Sequence, residues 1–229
     1  MIEQHLKPFL IGRDVDRIEE IYRMGAVHSY WRNGPVLNNA LSGVDQALWD
    51  IKGKMANLPE GELLGGKFRE RVGVYTHFYG ATPAESAAMA ERMVAEGYTA
   101  LKSSALSGDG FRFDPYEDDG RPEETAAHYA AVREAVGDDI VLMLDPFGVY
   151  TLEESLWVAR ELEKLNYYWL EHPMVETRVE AYRRLTQETQ IAICSPEHIK
   201  GGPFARAEWL LQGACNMLRV DMSYGGITG

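Results

Sequence analysis

The sequence predicts an α/β fold built on a parallel sheet, and two features of the chain carry that prediction. From about residue 72, short apolar, β-branched or aromatic runs alternate with segments of helical periodicity. The runs are nearly continuous in apolar character, as expected for strands buried on both faces of a parallel sheet. Repeated strand–helix units of this kind fit either an open doubly wound sheet or most of a (β/α)8 barrel.

The residues before the first predicted strand carry a helical pattern instead. The segment 40–54 has apolar residues at the spacing of one helix face: Leu41, Val44, Leu48 and Ile51. A glycine-rich exit follows near Gly66. We expect a helical domain over residues 1–70 and a barrel-type domain over residues 71–229.

The strand and helix starts of the second part follow in a regular order. The predicted strands begin at Val72, Thr99, Ile140, Tyr167, Gln190 and Asn216. The predicted helices begin at Pro83, Pro122, Thr151, Val175 and Gly202. Thr151 and Glu154 have the spacing of a capping box, and proline is favoured in the first helical turn. The segment after the first strand, HFYGATPAE, lacks the glycine spacing of a dinucleotide-binding loop, which disfavours a dinucleotide-binding fold.

The composition argues against several classes of partner. A formal net charge of −12 disfavours binding to nucleic-acid phosphates and to anionic lipid. Cys194 and Cys215 lie in apolar runs, which favours buried free thiols over a disulfide. We find neither a signal-peptide pattern at the start of the chain nor an apolar run of about 18 residues. We expect a cytoplasmic protein that binds neither nucleic acid nor membranes.

Acidic residues end four of the predicted strands. They are Asp145, Glu171, Glu197 and Asp221, separated by 26, 26 and 24 residues, about one strand–helix unit each. In a parallel barrel the carboxyl ends of all strands lie on one face, so consecutive units place these side chains next to one another. Neighbouring buried carboxylates repel one another, and a hard divalent cation with oxygen ligands relieves that repulsion. A Mg²⁺ site is therefore expected at this face.

The second predicted strand contains a lysine in an apolar stretch. Lys102 must be paired or neutral if it points into the sheet interior. It either extends to the solvent at the rim or serves as an active-site lysine beside a metal-bound carboxylate. Ser104 lies two residues further on and therefore faces the same side of the strand.

Several of these segments resemble the enolase superfamily, in particular its mandelate racemase/muconate lactonizing enzyme subgroup. The segment ALSGVDQALWDIKGKMANLPEGELLGG is similar to the capping-domain signature, and RVDMSYGGITG is similar to the sixth-strand segment. YWRNGPVLNNALSGVD looks most like the sugar-acid dehydratases of the subgroup. The resemblance implies a (β/α)8 TIM barrel, of which strands one to six are present here, with a partial N-terminal helical capping domain.

The resemblance also implies roles for the residues. Asp145, Glu171 and Glu197 match the three Mg²⁺ ligands, Lys102 matches a lysine that contacts the substrate carboxylate, and Asp221 would orient a histidine on strand seven. His77, Ser104 and His198 are candidates for substrate contact. The shared chemistry is removal of the proton α to a carboxylate, giving an enediolate that the metal stabilises. Aldonate or aldarate dehydration is favoured. Racemisation, epimerisation or cycloisomerisation, and a truncated non-catalytic barrel, stay open.

Two departures bear on the reaction. The subgroup often carries Lys-x-Lys on strand two, but Ser104 stands at the second position, which disfavours a two-base racemase. Some dehydratases place a histidine two residues beyond the first metal ligand, where this chain has Phe147. The strand-seven histidine would lie beyond Gly229. We therefore expect the 229 residues to be part of a longer protein and to lack dehydratase activity alone. The resemblance implies that the full-length protein is a homo-oligomer.

Overall fold

The computed structural model describes residues 1–103, 122–199 and 202–229, so the predicted site residue Ser104 lies outside the described residues. The chain divides into two compact units. The first unit comprises residues 1–72, 198–207 and 220–229, and the second unit comprises residues 73–197 and 208–219. The predicted division of the chain at residues 70 and 71 into two domains stays a prediction.

A parallel sheet forms the centre of the second unit. Within the described residues its strands are β1 (Thr76–His77), β2 (Ala100–Ser103), β3 (Val141–Leu144), β4 (Trp169–Glu171) and β5 (Ala192–Cys194). They lie in the order of the sequence, and every neighbouring pair is parallel. The predicted α/β fold with a parallel sheet is confirmed.

The strands are shorter than the apolar runs that predicted them. The predicted sixth strand, 216–221, is represented by one bridge between Met217 and Cys194 on the edge of β5. The main chain nevertheless lies alongside β5, because Asn216 N donates to Ile193 O at 2.9 Å and Ser195 N donates to Met217 O at 3.0 Å. This segment therefore follows the sheet edge without forming a regular strand.

Helices connect the strands and build the first unit. Those of the described residues are α1 (Lys7–Leu10), α2 (Ile18–Val27), α3 (Pro35–Ala56), α4 (Glu60–Leu63), α5 (Pro83–Ala95), α6 (Pro122–Val136), α7 (Leu152–Lys164), α8 (Val179–Glu188), α9 (Gly202–Leu211) and α10 (Met222–Gly225), with a π-helical turn at Ile2–Leu6. The predicted capping box at α7 is present, since Thr151 and Glu154 exchange side-chain to main-chain hydrogen bonds. None of these described helices combines the length and apolar character needed to cross a membrane.

In the first unit, α3 supplies most of the core. Leu41 and Leu48 are buried and Val44 is half-buried, as the helical pattern predicts. Ile51, at the same helical spacing, is 37% exposed, so this helix face is not buried along its whole length. The buried stripe reaches Gly53 instead, against which the main-chain carbonyl of Leu58 lies.

The end of the chain attaches to the same helix through polar contacts. The buried Asp45 carboxylate accepts hydrogen bonds from the main-chain N–H groups of Ile227 (2.6 Å) and Thr228 (2.9 Å). Trp49 donates its indole N–H to the Thr228 hydroxyl at 3.0 Å. Asp221 begins α10, where its side chain accepts from Ser223 N at 2.7 Å.

Candidate metal centre

Three carboxylates meet at the carboxyl ends of neighbouring strands in the second unit. Asp145 directly follows β3, Glu171 is the last residue of β4, and Glu197 lies three residues beyond β5. All three are buried, with exposed fractions of 2%, 0% and 7%. One carboxylate oxygen of each lies within 4.8 Å of those of the other two. The structure thus brings together the three residues predicted as metal ligands, while metal binding itself stays a prediction.

The register of the sheet explains why these side chains converge. Leu144 pairs with Leu170, and Glu171 pairs with Cys194, so the ends of β3, β4 and β5 lie at one level. The parallel direction then puts each strand exit at the same edge.

The two chain segments that leave β3 and β4 hold each other in place. Gly148 N donates to His172 O at 2.7 Å, and Tyr150 N donates to Pro173 O at 2.9 Å. Phe147 (φ 56°) and His172 (φ 38°) adopt the left-handed region, which is costly for residues with large side chains. Such backbone is typical of functional sites, and here it lies within two residues of Asp145 and Glu171.

Two cationic side chains of the described part of the chain contact the carboxylates. The Lys102 ammonium lies 2.9 Å from Asp145 Oδ2 and 3.0 Å from Glu171 Oε2. Arg219 donates through Nε to Glu171 Oε1 at 2.7 Å, and its Nη2 lies 3.2 Å from Glu197 Oε1. With all five side chains ionised, the set would carry one net negative charge. The buried Lys102 is therefore paired and does not extend to solvent at the rim.

Burial and charge act in opposite directions on these groups. Burial and the nearby Glu171 carboxylate raise the pKa of Asp145 to about 7, although the Lys102 ammonium opposes the shift. Burial alone would lower the pKa of Lys102, but the Asp145 and Glu171 carboxylates outweigh it and raise that pKa. Lys102 is consequently a firmly protonated cation in this arrangement.

Further hydrogen bonds support two of the carboxylates. Trp169, two residues before Glu171 on β4, donates its indole N–H to Glu171 Oε2 at 3.1 Å. Glu176 accepts from the main-chain N–H of Glu197 at 2.7 Å and from the Ser195 hydroxyl at 2.9 Å. Glu176 follows β4 along the chain, and its carboxylate thus holds the exit of β5 in place.

The other predicted site residues lie in different settings. His77 on β1 pairs in register with Lys102, and its ring lies between those of Tyr75 (5.5 Å, edge-on) and Tyr79 (6.1 Å, stacked). Desolvation by the surrounding groups and the Lys102 charge lower the pKa of His77. His198 belongs to the first unit, is exposed and contacts the Tyr224 ring edge-on at 5.7 Å.

Some functional contacts were not predicted from the sequence. The ion pair of Arg219 with Glu171 has no local signal, because the two residues lie 48 positions apart. Asp221 itself belongs to the first unit, where it caps α10. Its predicted role in orienting a histidine stays a prediction. The hydrogen bonds of Glu176 have no local signal, because the partners lie 19 and 21 residues away.

The donor set fits a hard divalent cation. Three buried carboxylates offer oxygen ligands within one small region, and Mg²⁺ is bound in proteins mainly by carboxylates and water. Softer metals favour sulfur and imidazole ligands, and the ligand group Asp145, Glu171 and Glu197 contains neither. The chemistry of these residues therefore suits Mg²⁺.

Comparisons with known proteins agree with this fold. Residues 85–229 match the family described as enolase C-terminal domain-like, and residues 1–65 match the mandelate racemase/muconate lactonizing enzyme N-terminal domain. A D-galactonate dehydratase family member of Enterococcus gallinarum is 35% identical over 99% of this chain and 59% of its own length. The chain thus spans about three fifths of the length of this relative.

Solved structures of enzymes also superpose on the chain. The crystal structure of D-glucarate dehydratase from Agrobacterium tumefaciens complexed with magnesium has a TM-score of 0.85 and 33% identity, covering 99% of this chain and 60% of that one. An enolase from Pantoea ananatis with bound D-gluconate and magnesium has a TM-score of 0.86 and 31% identity, covering 99% and 61%. The chain belongs to the enolase superfamily and carries the N- and C-terminal domain signatures of the mandelate racemase/muconate lactonizing enzyme type.

Proposed function

We propose that this chain carries the metal- and acid-binding part of a Mg²⁺-dependent sugar-acid dehydratase, a hydro-lyase acting on aldonates or aldarates. The convergence of Asp145, Glu171 and Glu197 around the paired Lys102 is the observation that carries the proposal. The names of its relatives support the same substrate class, since they include galactonate and glucarate dehydratases. For the whole protein we propose a closed (β/α)8 barrel with an N-terminal capping domain.

Each residue has a distinct part in this proposal. Asp145, Glu171 and Glu197 hold the Mg²⁺ ion. When bound, Mg²⁺ supplies a Lewis acid that draws electron density from the substrate carboxylate and so makes the α-proton more acidic. The Lys102 ammonium, held protonated by its carboxylate partners, donates hydrogen bonds to the substrate acid. It stabilises the second negative charge that appears on that group when the α-proton leaves.

The surroundings of Lys102 favour binding of an acid over proton abstraction by the lysine. A lysine that acts as a base needs a lowered pKa, whereas the two carboxylates raise that of Lys102. Ser104, which stands at the position of the second family lysine, also disfavours proton abstraction by a lysine. Proton removal then falls to a base that the family resemblance places on strand seven. His77, next to Lys102 across the sheet, is proposed to contact the substrate.

The proposal is tested by calorimetric titration of the chain with D-gluconate, D-galactonate and D-glucarate, with and without Mg²⁺. We expect sugar acids to bind only when Mg²⁺ is present. Equal binding in the presence of a chelator, or no binding under either condition, would contradict the assignment. The experiment measures acid binding and not turnover, because turnover would also need the proposed base on strand seven.

The products separate the alternative reactions. A 2-keto-3-deoxy acid formed by the whole protein indicates dehydration, because loss of the β-hydroxyl as water leaves an enol that becomes the 2-keto group. Deuterium at the α-carbon without that product indicates racemisation or epimerisation. If sugar acids bind but neither dehydration nor deuterium exchange is seen, the proposed binding role stands and the proposed reaction does not. A cytoplasmic location and homo-oligomeric assembly stay predictions.

A further inference from the structure

The segment that follows β4, residues 172–176, is hydrogen-bonded to the segments after both neighbouring strands. Two of its main-chain carbonyls accept from main-chain N–H groups that lie after β3. Its Glu176 carboxylate accepts from the Glu197 main-chain N–H and from the Ser195 hydroxyl, both of which lie after β5. This central segment therefore connects the three stretches of chain that carry the proposed metal ligands.

A tyrosine on α8 fixes the middle of the central segment. The Tyr182 hydroxyl donates to Met174 O and accepts from Met174 N at 3.2 Å, so one phenol holds both main-chain groups of that residue. Tyr182 is fully buried, and its ring packs edge-on against the ring of Trp209, with 4.7 Å between the centroids. Burial raises the pKa of Tyr182, although hydrogen bonding with the Ser195 side chain opposes the shift, so the phenol keeps its proton. The hydroxyl is therefore an enclosed and permanent anchor.

Two hard divalent cations differ in how far apart they hold their oxygen ligands. Mg²⁺ requires near-octahedral oxygen ligands at about 2.0–2.1 Å, whereas Ca²⁺ accepts a more variable set at about 2.3–2.6 Å. Oxygen atoms of the three proposed ligands already lie within 4.8 Å of one another. If these carboxylates cannot move apart, the site favours the smaller ion, and if the segments that carry them become looser, that preference is reduced.

We propose that the Tyr182 hydroxyl is a positioning group that makes the site selective for Mg²⁺ over Ca²⁺. It holds Met174 in place, and through the central segment it restrains the chain beside Glu171 and Glu197. The inference rests on the proposed function, because it requires that the three carboxylates bind a divalent cation. It adds to that function a residue that touches neither the metal nor the substrate and that acts through the main chain.

The first experiment measures the affinities of the wild type and of Tyr182→Phe for Mg²⁺ alone and for Ca²⁺ alone by calorimetry. The substitution removes one oxygen atom and keeps the ring that packs against Trp209. We expect the Mg²⁺ affinity to fall on the order of tenfold and the Ca²⁺ affinity to change by less than about threefold. The ratio of the two affinities should therefore fall, which a loss of overall stability would not by itself produce.

Tyr167→Phe is the matched control. Tyr167 is also buried, and its hydroxyl donates to the main-chain carbonyl of Tyr129 at 3.1 Å, before the start of β4 and at the end of that strand opposite to Glu171. The variant loses the same atom, so it should also lower the melting temperature, but it should keep the wild-type affinities for both ions. A wild-type affinity ratio in Tyr182→Phe, an equal fall of the ratio in both variants, or a wild type that binds the two ions equally would overturn the proposal.

A second measurement uses the wild type and does not require Tyr182→Phe to fold. The Met174 N–H donates to the enclosed Tyr182 hydroxyl, so its hydrogen exchange should be as slow as that of the β4 amides, with and without Mg²⁺. Exchange as fast as that of exposed amides would show that the anchor is not fixed and would overturn the proposal. If the wild type binds neither ion, the proposed function fails first. If it prefers Mg²⁺ and Tyr182→Phe keeps that preference, only the role of Tyr182 fails.

Discussion

Replacement of Glu176 by alanine tests whether the third carboxylate depends on a side chain outside the metal-binding set. Glu176 accepts from the Glu197 main-chain N–H at 2.7 Å and from the Ser195 hydroxyl at 2.9 Å. The variant removes both acceptor contacts and leaves the three proposed ligands chemically intact. We therefore expect it to weaken Mg²⁺ binding, because the segment that follows β5 and carries Glu197 would be held less firmly.

The magnitude follows from these two hydrogen bonds. A hydrogen bond to a charged acceptor contributes about 1.5–3 kcal/mol, so the loss of both should lower the free energy of unfolding by at least about 3 kcal/mol. For a chain of this size, that corresponds to a fall of about 6–12 °C in melting temperature. Loss of a side chain that orients a metal ligand typically weakens metal affinity by about 10–100-fold. We expect Mg²⁺ affinity to fall within that range.

A matched control exists at the opposite end of the same strand. Glu163 accepts from the main-chain N–H groups of Gln190 (2.6 Å) and Ile191 (3.1 Å), just before β5 begins. Glu163→Ala should lower the melting temperature by a similar amount and leave Mg²⁺ affinity unchanged. Glu176→Gln keeps an acceptor oxygen, so it should recover most of the Mg²⁺ affinity.

Calorimetric Mg²⁺ titration and thermal denaturation of all four proteins are compared in one buffer. Mg²⁺ affinity within twofold of the wild type in Glu176→Ala, despite a clear loss of stability, would refute the positioning role. An equal loss of Mg²⁺ affinity in Glu163→Ala would show that the effect follows overall stability and not the geometry at Glu197.

Three further predictions concern stability and reactivity in the second unit. Thr151→Ala removes the cap that Thr151 and Glu154 build together, and urea denaturation should show a loss of about 1–2 kcal/mol; no measurable loss would contradict the cap's contribution. Arg133→Met deletes hydrogen bonds to four main-chain carbonyls and should cost at least about 3 kcal/mol in the same assay, whereas a cost below 1 kcal/mol would contradict that role. Burial raises the pKa of Cys194 to about 12 and that of Cys215 to about 11, so neither thiol should react with a disulfide reagent at pH 8 until denaturant is added; rapid reaction in the native protein would contradict their burial.

The sequence was sufficient for the parallel sheet and for the meeting of the three carboxylates. Both depend on patterns that are local and repeated. An apolar run followed by an acidic residue recurs once per strand–helix unit. Because the strands are parallel, acidic residues spaced by one unit lie next to one another at the same edge of the sheet. Asp145, Glu171 and Glu197 could therefore be placed together without any knowledge of their side-chain contacts.

The lengths of the strands could not be predicted in the same way. An apolar run reports burial, whereas a strand requires main-chain hydrogen bonds to a neighbour. Tyr167 lies in such a run and is buried, yet β4 begins only at Trp169. Ile51 has the correct helical spacing and is exposed, because burial on α3 depends on which segments cover that face.

The contacts around the carboxylates depend on tertiary structure. Arg219 lies 48 residues from Glu171, and Glu176 lies 21 residues from the Glu197 N–H group that it accepts. Such partners are set by the order of strands and by side-chain rotamers, which the residue pattern does not report. The family resemblance indicated the ligands and Lys102, but it assigned no role to Arg219 or Glu176.

Mg²⁺ binding to the three carboxylates is the central claim, and calorimetry of the Asp145→Asn/Glu171→Gln double variant tests it most directly. The amide oxygens can still accept from Lys102, but the buried ammonium loses both counter-charges, so thermal denaturation must first show that the variant is folded at the titration temperature. We predict that the wild type binds one Mg²⁺ ion and that the double variant binds none at the same concentrations. Mg²⁺ affinity that is unchanged in the folded double variant would contradict the assignment of this site.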